Sequence, residues 1–253
     1  MTVNNINETF DRLFAPSDKF LAPFKLALLS VLVLFLVGFV LVWTNGDSPT
    51  KTIAVADANL TSKELASLQD AVKPFGEVSF FGTDLQEIHD NVAKLSWVES
   101  SKVGRDWYRG VTVSATPRKA VANFGSGQLV DANGAVFVPA DKTLLMDDKL
   151  VTLDGKPEQA THIMNQLHRI NTWFAPLGIS VKDLILTENQ TWIATFNNGF
   201  FVIVDHENTE QKLYRLLLVL TNDYKDKLSE MAYADLRYKD GFALKSKEET
   251  MTL

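Results

Sequence analysis

The chain has no cysteine among its 253 residues. It therefore has no disulfide bonds to staple a small framework, and no thiol to act as a nucleophile or a zinc ligand. Its stability must come from ordinary hydrophobic cores. The sequence also lacks a block of clustered basic residues, and its formal net charge is −6. Because nucleic-acid binding needs clustered lysine and arginine to displace counterions, the composition argues against nucleic acid as a partner.

Signatures of catalysis are also missing. The sequence has no Gly-x-Ser-x-Gly elbow, no P-loop and no His-Glu-x-x-His zinc motif. His162 and His168 lie six residues apart on a predicted helix, too far round it to share a metal ion. Asp205-His206-Glu207 follows a predicted strand, where consecutive side chains alternate between faces, so it indicates a solvated loop. We therefore expect no catalytic residue, metal, cofactor or small-molecule substrate. An enzyme stays a formal alternative, since triads assemble from distant residues.

What the sequence does contain is an apolar run from Leu26 to Trp43 that no charge interrupts. As a helix this run would span roughly 27 Å, close to the hydrocarbon thickness of a bilayer. A helix suits a membrane because it satisfies its backbone hydrogen bonds internally. We expect a tail at 1–25, a transmembrane helix at 26–43 and a linker at 44–50. The rival interpretation is a cleaved signal peptide, whose apolar stretch would be shorter, roughly 7–15 residues, and would end at small residues.

The charges beside this run predict its orientation. The preceding tail holds three basic residues, Arg12, Lys19 and Lys25, whereas 44–50 holds none. Basic residues tend to stay in the cytoplasm, so we expect the N-terminus inside and the domain-sized remainder outside. Three acidic residues cancel the basic ones of the tail, and the net charge of −6 therefore belongs to the exported part.

The first exported block mixes helix and strand signals. A short strand is expected at 52–55, followed by a helix that Thr61 caps with Glu64 in capping-box spacing. A second helix is expected from Thr83-Asp84. Two strand-like runs follow, at 98–105 and 111–116. The order strand, helix, helix, strand, strand predicts a compact α+β module whose two helices cover one face of a small sheet.

The second block combines strands with two long helices. Asn133-Gly134, inside the alternating run 129–137, is a strong hairpin signal. Helical periodicity extends over 158–174 and 209–228. Three strands are expected between these helices, at 179–187, 191–196 and 200–205. A last strand is expected from Ala234, and the turn signal Asp240-Gly241 interrupts it.

Three sets of residues carry a resemblance to a known family. The first is Leu95-Ser96-Trp97-Val98 with Arg105, Trp107, Gly110 and Pro117-x-x-Ala120; the second is Val130-Asp131-x-x-Gly134-x-x-Phe137 with Leu153-x-Gly155-x-Pro157; the third is Ala234-Asp235-Leu236-Arg237-Tyr238. In this order they resemble the FtsQ/DivIB family of bacterial cell division proteins. Ser96 and Tyr108 stand where that family usually has proline.

The resemblance implies an organisation and a role. The chain would be an α+β protein with a single transmembrane helix, a POTRA domain of β-α-α-β-β order at 51–120, a mixed β-domain with two flanking helices at 121–247, and a tail at 248–253. It would be a scaffold of the cell inner membrane, concentrated at the division septum with its body in the periplasm. There it would bind FtsB and FtsL, contact other divisome proteins through the POTRA domain and the transmembrane helix, and regulate septal peptidoglycan synthesis done by others.

An alternative is a POTRA-containing component of an envelope secretion or outer-membrane assembly system. Such proteins usually carry repeated POTRA units, and the sequence shows no such repeat.

The resemblance places partner contact at the C-terminal ribbon. Carried over by residue, β-augmentation by FtsB involves Arg237, Tyr238, Asp240 and Gly241, with Phe242 and Leu244 beyond the turn. This last strand has no successor in sequence, so we expect it at a sheet edge whose backbone groups another chain could pair. The downstream tryptophan of the family is absent: Ser246 stands in its place, and Phe242 is a possible substitute. Without the resemblance, Tyr238 would be a packed edge-strand tyrosine. Lys239, Lys245 and Lys247 would then protect the edge from aggregation.

The turn within this ribbon has three possible forms. A two-residue Asp-Gly turn would pair Lys239 with Phe242. A three-residue loop, with Gly241 left-handed, would pair Tyr238 with Phe242 and Leu236 with Leu244. A glycine bulge in one longer strand is the third form. We favour the three-residue loop because it gathers four large apolar side chains on one face.

Overall fold

The computed structural model describes residues 18–45, 50–239 and 241–247, with side chains described from 27 to 40 in the first range and throughout the other two. The chain divides into two compact units, Met1–Thr52 with Glu77–Thr83, and Ile53–Gly76 with Asp84–Leu253. Several predictions fall outside the described residues: those on the tail at 1–17, on linker residues 46–49, on Asp240 and on the tail at 248–253.

The first unit contains a helix and a small sheet. The helix is α1 (Asp18–Asn45), and β1 (Thr50–Thr52) pairs antiparallel with β3 (Glu77–Ser79). The large apolar side chains of α1 from Leu28 to Val40 are exposed. Within the described ranges, no helix combines the length and the apolar character that a membrane crossing requires. The transmembrane helix at 26–43 therefore stays a prediction.

The second unit begins with a three-stranded sheet and two helices. Its elements are β2 (Ala54–Val55), α2 (Ser62–Val72), α3 (Leu85–Ala93), β4 (Val98–Asp106) and β5 (Gly110–Pro117). The strand order is β2-β5-β4, with β2 parallel and β4 antiparallel to β5. The predicted order of strand, helix, helix, strand, strand is confirmed for this unit. The sequence did not reveal β3, which lies between α2 and α3 in the chain and belongs to the first unit.

Local chemistry explains where these helices begin. The Thr61 hydroxyl accepts from the Glu64 N–H at 3.3 Å, and the Glu64 carboxylate accepts from the Thr61 N–H at 2.7 Å. This confirms the predicted capping box. Asp84 caps α3 by accepting from the Gln86 N–H at 2.8 Å. Trp97 is buried and donates its indole N–H to Ser67 Oγ at 3.1 Å, as expected for a core aromatic that carries one polar group.

The rest of the second unit is a nine-stranded mixed sheet with two helices. The strands are β6 (Ala120–Phe124), β7 (Gln128–Asp131), β8 (Val136–Phe137), β9 (Val151–Asp154), β10 (Val181–Leu186), β11 (Trp192–Phe196), β12 (Phe201–Val204), β13 (Met231–Asp235) and β14 (Ala243–Ser246). The helices are α4 (Ala160–Phe174) and α5 (Thr209–Asp223). The strand order is β14-β13-β12-β11-β10-β9-β6-β7-β8.

Each helix connects two parallel strands. The α4 helix lies between β9 and β10, and α5 lies between β12 and β13; both strand pairs are parallel. Parallel neighbours need a long crossover, because a tight hairpin can join only antiparallel strands. Both helices bury side chains in one core with the sheet, including Phe174 from α4, Phe196 from β11 and Leu216 from α5. This core fixes the positions of the last two strands.

Candidate functional site

The strand β14 forms one edge of the nine-stranded sheet. It pairs antiparallel with β13, where Tyr233 lies opposite Lys245 and Asp235 opposite Ala243. Among the described residues, no strand pairs with its other side. The prediction that the last strand lies at a sheet edge is confirmed. An edge strand presents backbone N–H and C=O groups on its outer side, where another chain can pair with them.

The expected register of this ribbon is wrong. The strand β13 ends at Asp235, and residues 236–242 form the connection to β14. Leu244 lies opposite Ala234 instead of Leu236. Because β14 begins at Ala243, neither of the expected pairs, Lys239 with Phe242 or Tyr238 with Phe242, belongs to the ladder. The connection is thus longer than either tight turn, and it is not a single bulged strand.

Contacts at the end of β13 explain this register. The N–H of Leu236 donates to the carbonyl of Ile203 at 2.8 Å, and the Leu236 side chain is buried. Residue 236 therefore stays attached to β12, on the side of the ribbon away from β14. The Asp235 carboxylate also accepts from the N–H of Arg237 at 3.1 Å, which turns the backbone as soon as the strand ends.

The Asp235 and Arg237 side chains form a two-pronged ion pair. Arg237 donates from Nε to Oδ1 at 2.9 Å and from Nη2 to Oδ2 at 2.6 Å. The guanidinium bond lowers the pKa of Asp235; burial opposes this shift, and the N–H of Arg237 adds to it. The same carboxylate raises the pKa of Arg237. Arg237 is thus a permanent cation whose guanidinium is oriented by Asp235 at the end of β13. The sequence prediction included Arg237 but missed Asp235, although the spacing of two residues between opposite charges was a visible signal.

The remaining predicted site residues divide into two groups. Phe242 and Leu244 are half-buried and pack against the large core. Tyr238 is 59% exposed, so the expected gathering of four apolar side chains on one face is wrong for this residue. Gly241 is exposed, and a Cβ added there would meet no heavy atom within 4 Å. Asp240 lies outside the described residues. The structure thus leaves Arg237 and Tyr238 at the surface, in the connection between β13 and β14.

The lysines of the ribbon have different surroundings. Lys247 donates from Nζ to the carbonyl of Ser229 at 2.7 Å and to that of Asn198 at 3.4 Å. These bonds tie the end of β14 to the neighbouring loops. Lys245 lies within β14 and is half-buried, whereas Lys239 is exposed in the connection. The expected protection of the edge by lysine stays a prediction.

The fold and the site define an α+β protein whose large mixed sheet has β14 as an edge strand among the described residues. Its described residues hold no group of three histidine, aspartate or glutamate side chains that could bind a metal ion. The family model for the C-terminal part of the cell division protein FtsQ/DivIB matches residues 120–237, from the start of β6 to Arg237.

Several cell division proteins named FtsQ are similar to this chain. The protein of Acinetobacter oleivorans is 34% identical over 190 residues, which are 75% of this chain and 66% of the relative. That of Xanthomonas campestris pv. campestris is 29% identical over 72% of this chain and 64% of the relative. That of Neisseria meningitidis serogroup B is 25% identical over 86% of this chain and 92% of the relative. The chain belongs to the FtsQ/DivIB family of cell division proteins. The chain spans just under two thirds of the length of the first two relatives, those of Acinetobacter oleivorans and Xanthomonas campestris pv. campestris.

Proposed function

We propose that the chain is a single-pass scaffold of the division machinery in the cell inner membrane. Residues 51–120 form a POTRA domain and residues 121–247 an FtsQ-type β-domain, both in the periplasm. The scaffold binds FtsB and FtsL, contacts other division proteins through its POTRA domain and transmembrane helix, and acts at the septum. It catalyses no reaction; it orients partners and so regulates peptidoglycan synthesis done by others. Membership of the FtsQ/DivIB family supports this proposal over a secretion or outer-membrane assembly role.

The position of β14 at the end of the sheet carries the proposal for FtsB. A strand of FtsB would add to the outer side of β14 by β-augmentation, with main-chain hydrogen bonds as the common source of affinity. Specificity then comes from side chains beside the edge. Arg237 offers a fixed guanidinium and Tyr238 an exposed ring, and both are favoured types in interface hot spots. Asp240, Gly241, Phe242 and Leu244 complete the proposed contact region.

Binding of FtsB to single-residue variants tests this proposal. The full chain in detergent is titrated with the periplasmic part of FtsB, and Tyr238→Ala is compared with the unchanged chain. We expect affinity to fall about tenfold or more, because truncating an aromatic hot spot costs about 2 kcal/mol. The thermal melt should stay close to that of the unchanged chain, since Tyr238 is largely exposed.

Tyr214→Ala is the matched control, because Tyr214 is 52% exposed but lies on α5. We expect this variant to bind FtsB with unchanged affinity. Equal affinities for the Tyr238 variant and the unchanged chain, with FtsB bound by both, would exclude Tyr238 from the docking site.

The membrane anchor rests on the uncharged run from Leu26 to Trp43 and on the basic residues before it. The exposed apolar side chains of α1 from Leu28 to Val40 support it, because a bilayer would cover them. Alkaline phosphatase fused after Thr50 should be active, since this enzyme needs the periplasm. A fusion that is expressed normally but inactive would refute the proposed orientation.

A further inference from the structure

A turn at residues 80–83 lies at one end of the small sheet in the first unit. The two strands of this sheet, β1 and β3, are antiparallel, and Thr50 lies opposite Ser79. The chain comes from α1 and enters β1 at Thr50, whereas it leaves β3 at Ser79. The turn therefore begins at the end of the sheet at which the chain arrives from α1.

A short connection keeps this end of the sheet close to α1. The helix ends at Asn45, and four residues, 46–49, separate it from Thr50. Five residue steps span at most about 18 Å, because an extended residue adds no more than about 3.6 Å. Thr50 therefore lies within about 18 Å of the end of α1, and β3 lies beside β1 at the usual strand spacing of about 5 Å.

Two phenylalanine rings form an apolar tip on this turn. Phe81 is 57% exposed and Phe80 is half-buried, and their rings contact edge to face with centroids 4.8 Å apart. The segment from Ser79 to Thr83 carries no charged side chain. Transfer of such a tip from water to an apolar surrounding is favourable, because it removes a large apolar area from water and desolvates no charge.

Hydrogen bonds fix the shape of the turn. The N–H of Gly82 donates to Ser79 Oγ at 3.0 Å, and the Thr83 hydroxyl donates to the carbonyl of Ser79 at 2.6 Å. In the adjoining sheet, the Thr50 hydroxyl donates to Glu77 Oε2 at 2.7 Å. The turn therefore presents the two rings from an ordered backbone, so that contact with another surface costs little ordering entropy.

We propose that Phe80 and Phe81 insert into the interfacial region of the bilayer that α1 crosses. This inference rests on the proposed membrane anchor. The predicted span ends at residue 43, two residues before the end of α1, so the turn starts close to the membrane surface. Apolar side chains at such a surface enter about 5–10 Å into the boundary between headgroups and acyl chains. Lipid is the occupant that this position favours, because the tether through α1 makes insertion an intramolecular step.

Quenching of a fluorescent label in the full chain tests the inference. The chain has no cysteine, so a single introduced cysteine carries the label. Three variants are compared in nanodiscs of phosphatidylcholine and phosphatidylglycerol: Phe81→Cys, Leu34→Cys within α1 and Tyr214→Cys on α5. We expect lipids with a nitroxide high on the acyl chain to quench the label at position 81. Iodide in the water should quench this label about threefold less than the label at position 214.

The label at position 34 tests the membrane anchor separately, because a nitroxide deep in the acyl chains should quench it. If it does, but iodide quenches the labels at 81 and 214 equally, the anchor stands and the inference is overturned. If iodide quenches all three labels equally, the proposed anchor is wrong and the inference falls with it. A label at 81 that neither iodide nor a lipid nitroxide quenches is covered by protein, such as a second copy of the chain, and this result also overturns the inference.

A second measurement leaves the turn unlabelled and tests the Phe81 ring itself. The label is placed on Thr50→Cys, opposite Ser79, and Phe81→Ser is introduced into this labelled chain. We expect iodide to quench the label about twofold more strongly after the substitution, because the turn leaves the interface without the ring. The Tm should change little, since Phe81 is largely exposed.

Tyr214→Ser is the matched control for this substitution. Tyr214 is also an exposed aromatic residue, at 52%, but it lies on α5, and its replacement should leave the quenching at position 50 unchanged. If Phe81→Ser lowers the Tm and leaves the quenching unchanged, the ring has a purely structural role. Unchanged quenching in Phe81→Ser, with or without a change in Tm, overturns the inference.

Discussion

Asp131 connects the two sheets of the second unit, and its replacement by asparagine should destabilise the protein strongly. The residue is 4% exposed at the end of β7. Its carboxylate accepts three hydrogen bonds, from the N–H groups of Asn133 and Ala135 at 2.9 Å each and from Arg118 Nη1 at 2.6 Å. Arg118 in turn donates its backbone N–H to the carbonyl of Trp97 at 2.8 Å and its Nε to that of Ser96 at 3.2 Å. The carboxylate therefore orients an arginine that joins β7 to the residues just before β4.

The expected loss of stability follows from the hydrogen bonds that an asparagine at position 131 could still form. Its side-chain oxygen can accept from Asn133 and Ala135, but its NH₂ group faces another donor on Arg118. The lost bond is charge-assisted, and such bonds contribute about 1.5–3 kcal/mol. Breaking a fully buried ion pair costs about 3–5 kcal/mol. The Arg118 side chain is 24% exposed, so water can partly solvate it once the pair is broken. We therefore expect a loss of about 2 kcal/mol for Asp131→Asn.

Urea unfolding of the full chain in detergent measures this loss. With a denaturant slope of about 2 kcal/mol/M, the midpoint should fall by about 1 M. Asp141→Asn is the control, because Asp141 is also an aspartate that accepts from a backbone N–H, that of Thr143 at 3.0 Å, but in an exposed single turn. Its midpoint should change much less. Equal midpoints for Asp131→Asn and the unchanged chain would refute the assigned role of the carboxylate.

The dependence of stability on pH tests the role of the Asp131 carboxylate a second time. Burial alone would raise the pKa of Asp131, but the N–H groups of Ala135 and Asn133 and the bond from Arg118 outweigh it, so the pKa lies below its ordinary value of 3.8. A carboxyl with a lowered native pKa stabilises the fold fully above its unfolded pKa and loses this effect as pH falls through the native pKa. The difference in free energy of unfolding between the unchanged chain and Asp131→Asn should be constant above about pH 5 and shrink below about pH 4. If this difference does not change with pH down to the point of acid unfolding, the lowered pKa of Asp131 does not stabilise the fold.

Two further substitutions test the local geometry, each followed by urea unfolding. Gly134→Ala should lower the free energy of unfolding by about 2 kcal/mol. The φ of Gly134 is 82°, and a Cβ there would overlap the Thr161 side chain and lie 3.1 Å from the Thr161 Cα. Gly127→Ala is the control and should be nearly neutral, because a Cβ at Gly127 has no heavy atom within 4 Å. Thr61→Ala should cost about 1 kcal/mol through loss of the α2 cap, whereas Thr61→Ser should keep most of it. Losses as large in Gly127→Ala or Thr61→Ser would show that these mechanisms are wrong.

The elements that the sequence predicted well are those whose signals lie within a few residues. The capping box at Thr61 and Glu64 places the start of α2, because a side chain satisfies backbone groups only three positions away. Asn133-Gly134 marks the connection of β7 to β8, in which Gly134 has a positive φ and donates its N–H to the carbonyl of Asp131. The expected helix at 158–174 begins slightly later, at Ala160, after a short 3₁₀ turn that starts with Pro157.

Two strands of the large sheet could not be predicted this way. The strand β9 pairs in parallel with both β6 and β10, although β6 and β10 are far from it in the chain. Only four and five residues long, β9 and β6 carry little periodicity of their own. Their conformation is decided by packing between distant segments, which no local pattern reports.

The edge itself was predictable, but its register was not. The expected edge strand corresponds to β14, which lies at one end of the sheet among the described residues. The register depends on the bond from Leu236 to Ile203, which joins residues from β12 and the end of β13. Because the two residues are distant in sequence, neither the Asp-Gly turn signal nor the gathering of apolar side chains on one face could reveal this bond, and the favoured three-residue loop is too short.

The shortness of β14 limits how FtsB could bind. The strand has four residues, so an added strand could form only a few main-chain hydrogen bonds with it. Each contributes about 0.5–1.5 kcal/mol net, whereas association itself costs several kcal/mol or more. Under the proposed docking, the ladder alone would therefore give little affinity, and most of the binding energy has to come from side chains beside the edge. Under this proposal the exposed Tyr238 ring and the Arg237 guanidinium supply it, and Arg237 loses little side-chain entropy because Asp235 already orients it.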